Sequence, residues 1–165
     1  MIAGIEAKKL QNTLYFLLIA IAVLAIDQVT KEAVIKHFAL HQSKEIIPGF
    51  FHITYVRNTG AAFGILSGKE SWRLYFFLVI GTVALVSLFQ FFYSNYKDPL
   101  VVIGTAMVCG GAAGNIIDRI RYGYVVDFLD FFWGPYHWPA FNVADSAITV
   151  GVLLLLLHFL LKGSS

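Results

Sequence analysis

Charged residues divide the chain into four apolar runs. Lys9 and Asp27 bracket Leu10 to Ile26, and Arg73 and Lys97 bracket Leu74 to Tyr96. Asp98 and Asp118 bracket Pro99 to Ile117, and Asp145 and Lys162 bracket Ser146 to Leu161. A helix needs about 20 residues to cross roughly 30 Å of hydrocarbon. The second and third runs reach that length alone; the first and fourth do so by taking in Asp27 and Asp145. The pattern predicts four helices, over about 12–31, 73–94, 99–118 and 141–161. Pro99 suits a helix's first turn, where its missing N–H costs nothing. Trp72, Tyr75, Tyr93 and Tyr96 flank the second run like interfacial anchors. Gly110 and Gly114 form a small-xxx-small pair for close packing. Lys8, Lys9 and the Ala20-Ile21-Ala22 triplet imitate a cleavable signal peptide. Apolar character continues past that triplet to Ile26 and three more runs follow, so an uncleaved helix is expected.

The two longer connections have patterns of their own. Within 32–72, Phe51, Ile53 and Tyr55 alternate with His52, Thr54 and Val56, a strand period. Pro48-Gly49 and Asn58-Thr59-Gly60 punctuate it as turns. Phe50, Phe51, Tyr55 and Phe63 are a heavy aromatic load, suited to a membrane interface or to covering something. Within 119–140, Tyr124-Val125-Val126 is strand-like and Phe128 to Trp138 is densely aromatic. With four spans, these two connections emerge on the same side and can meet.

Composition supports the membrane reading. Of 165 residues, 58% are apolar and 13% charged, against about 45–50% and 25% in soluble domains. Mean hydropathy is +0.73. So small a domain cannot bury that much apolar surface within itself. Disorder is excluded by the same figures. A net charge of +2 gives no basic surface for nucleic acid. The one cysteine, Cys109, sits in an apolar stretch and reads as a small buried hydrophobe.

The acids are not scattered. Asp118, Asp127, Asp130 and Asp145 crowd into one stretch, and Asp27 ends the first run. Asn115-Ile-Ile-Asp118 closes the third helix and Asn142-Val-Ala-Asp145 opens the fourth, each placing Asn and Asp on one face. An intramembrane Asp costs about 2.5–3.5 kcal/mol. Two such carboxylates suit acid–base chemistry on water, because close like charges hold one of them protonated. By spacing alone, Asp118 with Asp145 is the natural pair. The same acids can instead pair with Arg119 and Arg121, cap helices, or serve a small proton-coupled transporter or membrane scaffold. Against transport, the four helices show no inverted repeat. Other chemistries find less support. His37 and His41 lack the Glu of a zinc helix, Ser67 lacks a nucleophile elbow, and Gly60 to Gly64 lacks the P-loop Lys. His137 and His158 look isolated.

Five blocks together resemble one family. They are Asp27-Gln28-Val-Thr30-Lys31, Arg57-Asn58-Thr59-Gly60-Ala61-Ala62-Phe63-Gly64, Gly114-Asn115-Ile-Ile-Asp118-Arg119, Val125-Val126-Asp127-Phe128 and Phe141-Asn142-Val143-Ala144-Asp145-Ser146. In this order they are similar to the signature blocks of lipoprotein signal peptidase (signal peptidase II), over about residues 14–161. The resemblance implies an all-α membrane protein over 1–165: a four-helix bundle with a small extracytoplasmic β-cradle in 32–72 and a flap in 119–140. It implies an aspartic endopeptidase of the bacterial inner membrane with cytoplasmic termini. That enzyme cuts diacylglyceryl-modified prolipoproteins just before the lipidated Cys. The dyad it implies is Asp127 and Asp145. Asp118 becomes a supporting residue that fixes Arg119 and the flap strand. Asn58, Gly60, Asn115, Arg119, Asn142, Ala144, Asp27 and Lys31 become substrate-binding or dyad-supporting positions. Neither metal nor cofactor is called for, the partners are substrate and membrane lipid, and a monomer is expected. The lysine and arginine count favours the opposite topology, with more positive charge on the two long connections than at the termini. Gly163-Ser164-Ser165 is set aside as a tail-like remnant.

Overall fold

The computed structural model describes residues 2–60 and 70–162. Phe63, Ser67, the rest of the Ala61–Gly64 part of the second block and the Gly163–Ser165 tail lie outside them. Four helices carry the chain: α1 (Ile2–His37), α2 (Glu70–Asn95), α3 (Pro99–Tyr122) and α4 (Val143–Lys162). Each is long and apolar enough to span a membrane. Four strands, β1 (Ser43–Ile47), β2 (Phe51–Asn58), β3 (Val125–Trp133) and β4 (Tyr136–His137), form one sheet in that order.

Two helices overrun their expected ends. At 1.5 Å per residue, the 36-residue α1 is roughly 54 Å long, well beyond the hydrocarbon core. The charged residues beyond its apolar run, Lys8, Lys9, Glu32 and Lys36, are good helix formers that end a membrane span without ending a helix. α3 likewise continues through Asp118, Arg119 and Arg121. It stops at Gly123, whose φ of +78° lets its N–H reach the Arg119 carbonyl. At its other end, Asp98 caps the helix by accepting from the Leu100 N–H, and Pro99 follows it.

The second long connection is built into the sheet. β2 and β3 pair antiparallel from Phe51–Phe131 to Asn58–Val125, so strands from both connections lie side by side. β3 then turns at Gly134 into the short β4. Under the sheet, Val34, Tyr55, Val126 and Phe128 make an apolar core that seats it on the end of α1.

α3 is the central helix. Glycines allow its close approach to neighbours: a Cβ on Gly110 would lie 2.6 Å from the Ala20 carbonyl of α1, and one on Gly111 2.5 Å from the Ala144 carbonyl of α4. Near the termini, Phe16 of α1 stacks on Phe92 of α2 at 4.4 Å between ring centres.

Candidate active site

The polar block residues meet where α1, α3, α4 and β3 converge. Lys31 is 2% exposed, and its ammonium lies 2.9 Å from Asp27 Oδ2, 2.9 Å from Asp118 Oδ2 and 2.9 Å from Asn115 Oδ1. Three acceptors around one ammonium satisfy all its protons. Asp27 also accepts the Ala144 N–H at 2.9 Å, which ties α1 to the first turn of α4. Asp118 accepts the Val126 N–H of β3 at 3.1 Å and a bond from Gln28 at 2.9 Å. A Cβ on Gly114 would sit 2.4 Å from Asp27 Oδ2, so this helix seam admits only glycine there.

Above this anchor stands a layer of amides and acids. Asn142 caps α4: its Oδ1 accepts the Asp145 N–H at 2.9 Å while Asp145 Oδ2 accepts the Asn142 N–H at 3.3 Å. With its oxygen so engaged, Asn142 turns its NH₂ to Asp127 Oδ1 at 2.8 Å. Lys31 pins the oxygen of Asn115 in the same way, and Asn115 donates to Asp145 Oδ1 at 2.8 Å. Asn58 accepts the Gly60 N–H at 2.8 Å and donates to Asp127 Oδ2 at 2.9 Å. Gly60, at φ +74°, sits where a side chain would be strained. Each amide is thus oriented by an obligate donor, and both oxygens of Asp127 and of Asp145 receive N–H groups.

Asp127 is 2% exposed. Burial pushes its carboxyl up to about 6, and the neighbouring Asp145 charge adds to this against hydrogen bonds from Asn58 and Asn142. Arg119 lies over the Phe77 ring at 4.6 Å, donates to the Asn115 carbonyl at 3.2 Å, and faces the charges of Asp145, Asp127 and Asp118.

The block residues Asp27, Lys31, Asn58, Asn115, Asp118, Asp127, Asn142 and Asp145 are thus joined in one hydrogen-bonded network. Asp118 bonds the flap strand β3, as the resemblance implies, but its other partners are Lys31 and Gln28, while Arg119 bonds the Asn115 carbonyl. Arg121 turns away to Glu32 at 3.1 Å. The two histidines read as isolated are not: His137 bonds Asp130 at 2.8 Å and His158 bonds Asp98 at 2.8 Å. Partners 60 residues apart carry no local signature, although a His in a leucine run is itself a signal of a hidden partner. Gln28 has no assigned role in the sequence reading, yet its amide bonds both buried acids of the anchor.

Four apolar helices closing on a buried layer of acids and amides define a multi-pass membrane protein with a polar site at one end of its bundle. The chain matches the family Signal peptidase (SPase) II over residues 19–161 and belongs to it, as a membrane-embedded protease. It is 52% identical over 151 residues to the lipoprotein signal peptidase of Syntrophotalea carbinolica, covering 90% of this chain and 92% of that one. With its counterpart from Syntrophus aciditrophicus it shares 49% over 149 residues, covering 89% and 92%. Its fold is similar to a bacterial membrane enzyme solved by the in meso method at 2.3 Å resolution, with TM-score 0.78 and 41% identity over 91% of this chain and 89% of that one.

Proposed function

We propose that the chain removes signal peptides from diacylglyceryl-modified prolipoproteins, cutting just before the lipidated Cys, with Asp127 and Asp145 as an aspartic dyad. The observation that carries this reading is Asn142, which binds both acids, Asp127 through its side chain and Asp145 through its backbone N–H. Two carboxyls that share Asn142, one of them buried, suit a dyad that holds one proton between them. The ionised partner takes a proton from water, and the hydroxide adds to the scissile carbonyl carbon. The protonated partner gives its proton to the carbonyl oxygen. The resulting gem-diol collapses: the C–N bond breaks, the nitrogen takes up a proton through the dyad, and the new carboxyl leaves with the signal peptide. Asn58, Asn115, Asn142, Gly60, Ala144 and Arg119 position the acids and the peptide, while Asp27, Lys31 and Asp118 anchor the helices beneath them.

The setting supports the substrate. Lipid chains need lateral access and the peptide bond needs water, so the dyad belongs at the bilayer edge. We place it on the extracytoplasmic face of the inner membrane, with cytoplasmic termini, the sheet as an interfacial cradle and the β3–β4 hairpin as its cover. Trp133, Tyr136 and Trp138 near that turn are 86, 80 and 68% exposed, as interfacial aromatics are. Lys31, buried in an ion-pair cluster, no longer counts toward the positive-inside tally. The test is cleavage of a lipid-modified precursor in detergent. Asp127→Asn and Asp145→Asn each abolish the cut before Cys while the protein still folds; substantial activity in either overturns the dyad.

A further inference from the structure

α1 and α2 touch near the termini through Phe16, Phe89 and Phe92 and part above that contact. The gap is an apolar hollow of about 590 Å³, walled by Leu17, Ile21, Val86 and Phe89 and floored by Gly110 and Ala113 of α3. It stands apart from the acid layer, on the flank of α3 away from Gly111 and Ala144. Phe89 and Gln90 also line a second hollow of about 520 Å³, which continues along α2 past Tyr93 to Ser94. Ser94 in turn borders a third, more polar space that includes Tyr96, Lys97 and Lys162. The three adjoin through shared residues of α2, tracing an open channel along that helix from its apolar flank toward the termini.

Cations gather where that channel ends. Lys9 Nζ stands 3.6 Å over the Tyr93 ring and 5.7 Å from that of Tyr96, while Lys97 Nζ stands 6.0 Å from the same Tyr96 ring. Asn12 donates to the Tyr96 carbonyl at 2.8 Å and fixes this corner. This end of the bundle carries Lys8, Lys9, Lys97 and Lys162 against Glu6 and Asp98. Asp98 is taken up by His158 and by the Leu100 N–H. An apolar slot that leads toward two lysine ammonium groups flanking Tyr96 matches a molecule with a long hydrocarbon tail and an anionic head.

We propose that this channel seats one anionic glycerophospholipid from the leaflet on the termini side, an acyl chain in the α1–α2 gap and the phosphate against Lys9 and Lys97. The site is separate from the dyad and wedges α2, which packs chiefly on α3, against α1. Native mass spectrometry of the detergent-purified full chain tests it, with phosphatidylglycerol and phosphatidylcholine as probes. The wild type retains one phosphatidylglycerol and holds it more tightly than phosphatidylcholine. Lys9→Gln with Lys97→Gln weakens phosphatidylglycerol about tenfold, as loss of charge-assisted bonds does, and leaves precursor cleavage unchanged. Ala113→Phe, which fills the slot, weakens both lipids. Absence of a retained lipid overturns the proposal, as does equal retention of both lipids by the wild type and the double lysine variant. Loss of precursor binding with intact lipid retention in Ala113→Phe also overturns it, because it assigns the slot to substrate.

Discussion

Asp127 ionises at a pH set by its surroundings, and this makes the chemistry of the proposed dyad visible in solution. Its carboxyl is raised to about 6, so it keeps its proton below that pH and loses it above. Above about 6 Asp127 is anionic and its carboxyl no longer serves as the proton donor. The kcat/KM profile therefore has an alkaline limb near pH 6, measured on a lipidated peptide. A profile flat from pH 5 to 8 contradicts this. The anchor residues respond differently. Lys31 bridges two acids, so Asp118→Asn leaves a one-to-one Lys31–Asp27 pair and an oxygen for the Val126 N–H; reduced but measurable cleavage is expected. Lys31→Met strands two buried charges and costs about 3–5 kcal/mol, read as a lower Tm in detergent.

At the level of elements, the site depends on how closely α3 meets α1 and α4. A side chain on Gly111 would meet the Ala144 carbonyl one residue from Asp145. Gly111→Val is expected to cost about 1–3 kcal/mol of thermal stability and to lower kcat with it, because it pushes α4's first turn off its caps. Much of this architecture was legible beforehand. Uninterrupted apolar runs marked all four helices, and period-2 alternation marked β2. Helix ends were not, because Lys8, Glu32 and Arg121 signal the bilayer's edge and say nothing about where hydrogen bonding stops. β1 escaped notice as well: Ser43–Ile47 is exposed throughout and shows no buried face. For the site, the Asn-x-x-Asp repeats were visible, and they favoured Asp118 over Asp127. The block resemblance named Asp127 instead, and the surroundings of the two acids differ in a way spacing does not encode: Lys31 occupies Asp118, while amides face Asp127.

Across the whole molecule, chemistry and lipid contact share little space. The site's carboxyls and amides sit at one end, while much of the exposed apolar surface lies on the flanks of α1, α2 and α4 and a further share, Phe50, Trp133, Tyr136 and Trp138 among it, on and beside the sheet. Acid–base catalysis by side chains alone predicts that EDTA leaves cleavage unchanged; inhibition restored by added zinc would bring a metal into the mechanism. The two His–Asp pairs lie outside the dyad's layer, so His158→Gln is expected to lower Tm while kcat on the lipidated peptide holds.

The spacing of Asp27 and Lys31 also bears on how such a protein enters a membrane. α1 emerges from the ribosome before α3 exists, and its two buried charges have neither Asn115 nor Asp118 to meet. They stand one turn apart and 2.9 Å from each other, so each can neutralise its neighbour on the same helix during that interval. Such a pair lowers the penalty of carrying charge into lipid early, and Lys31 keeps Asp27 while gaining Asp118 and Asn115 once α3 packs against it.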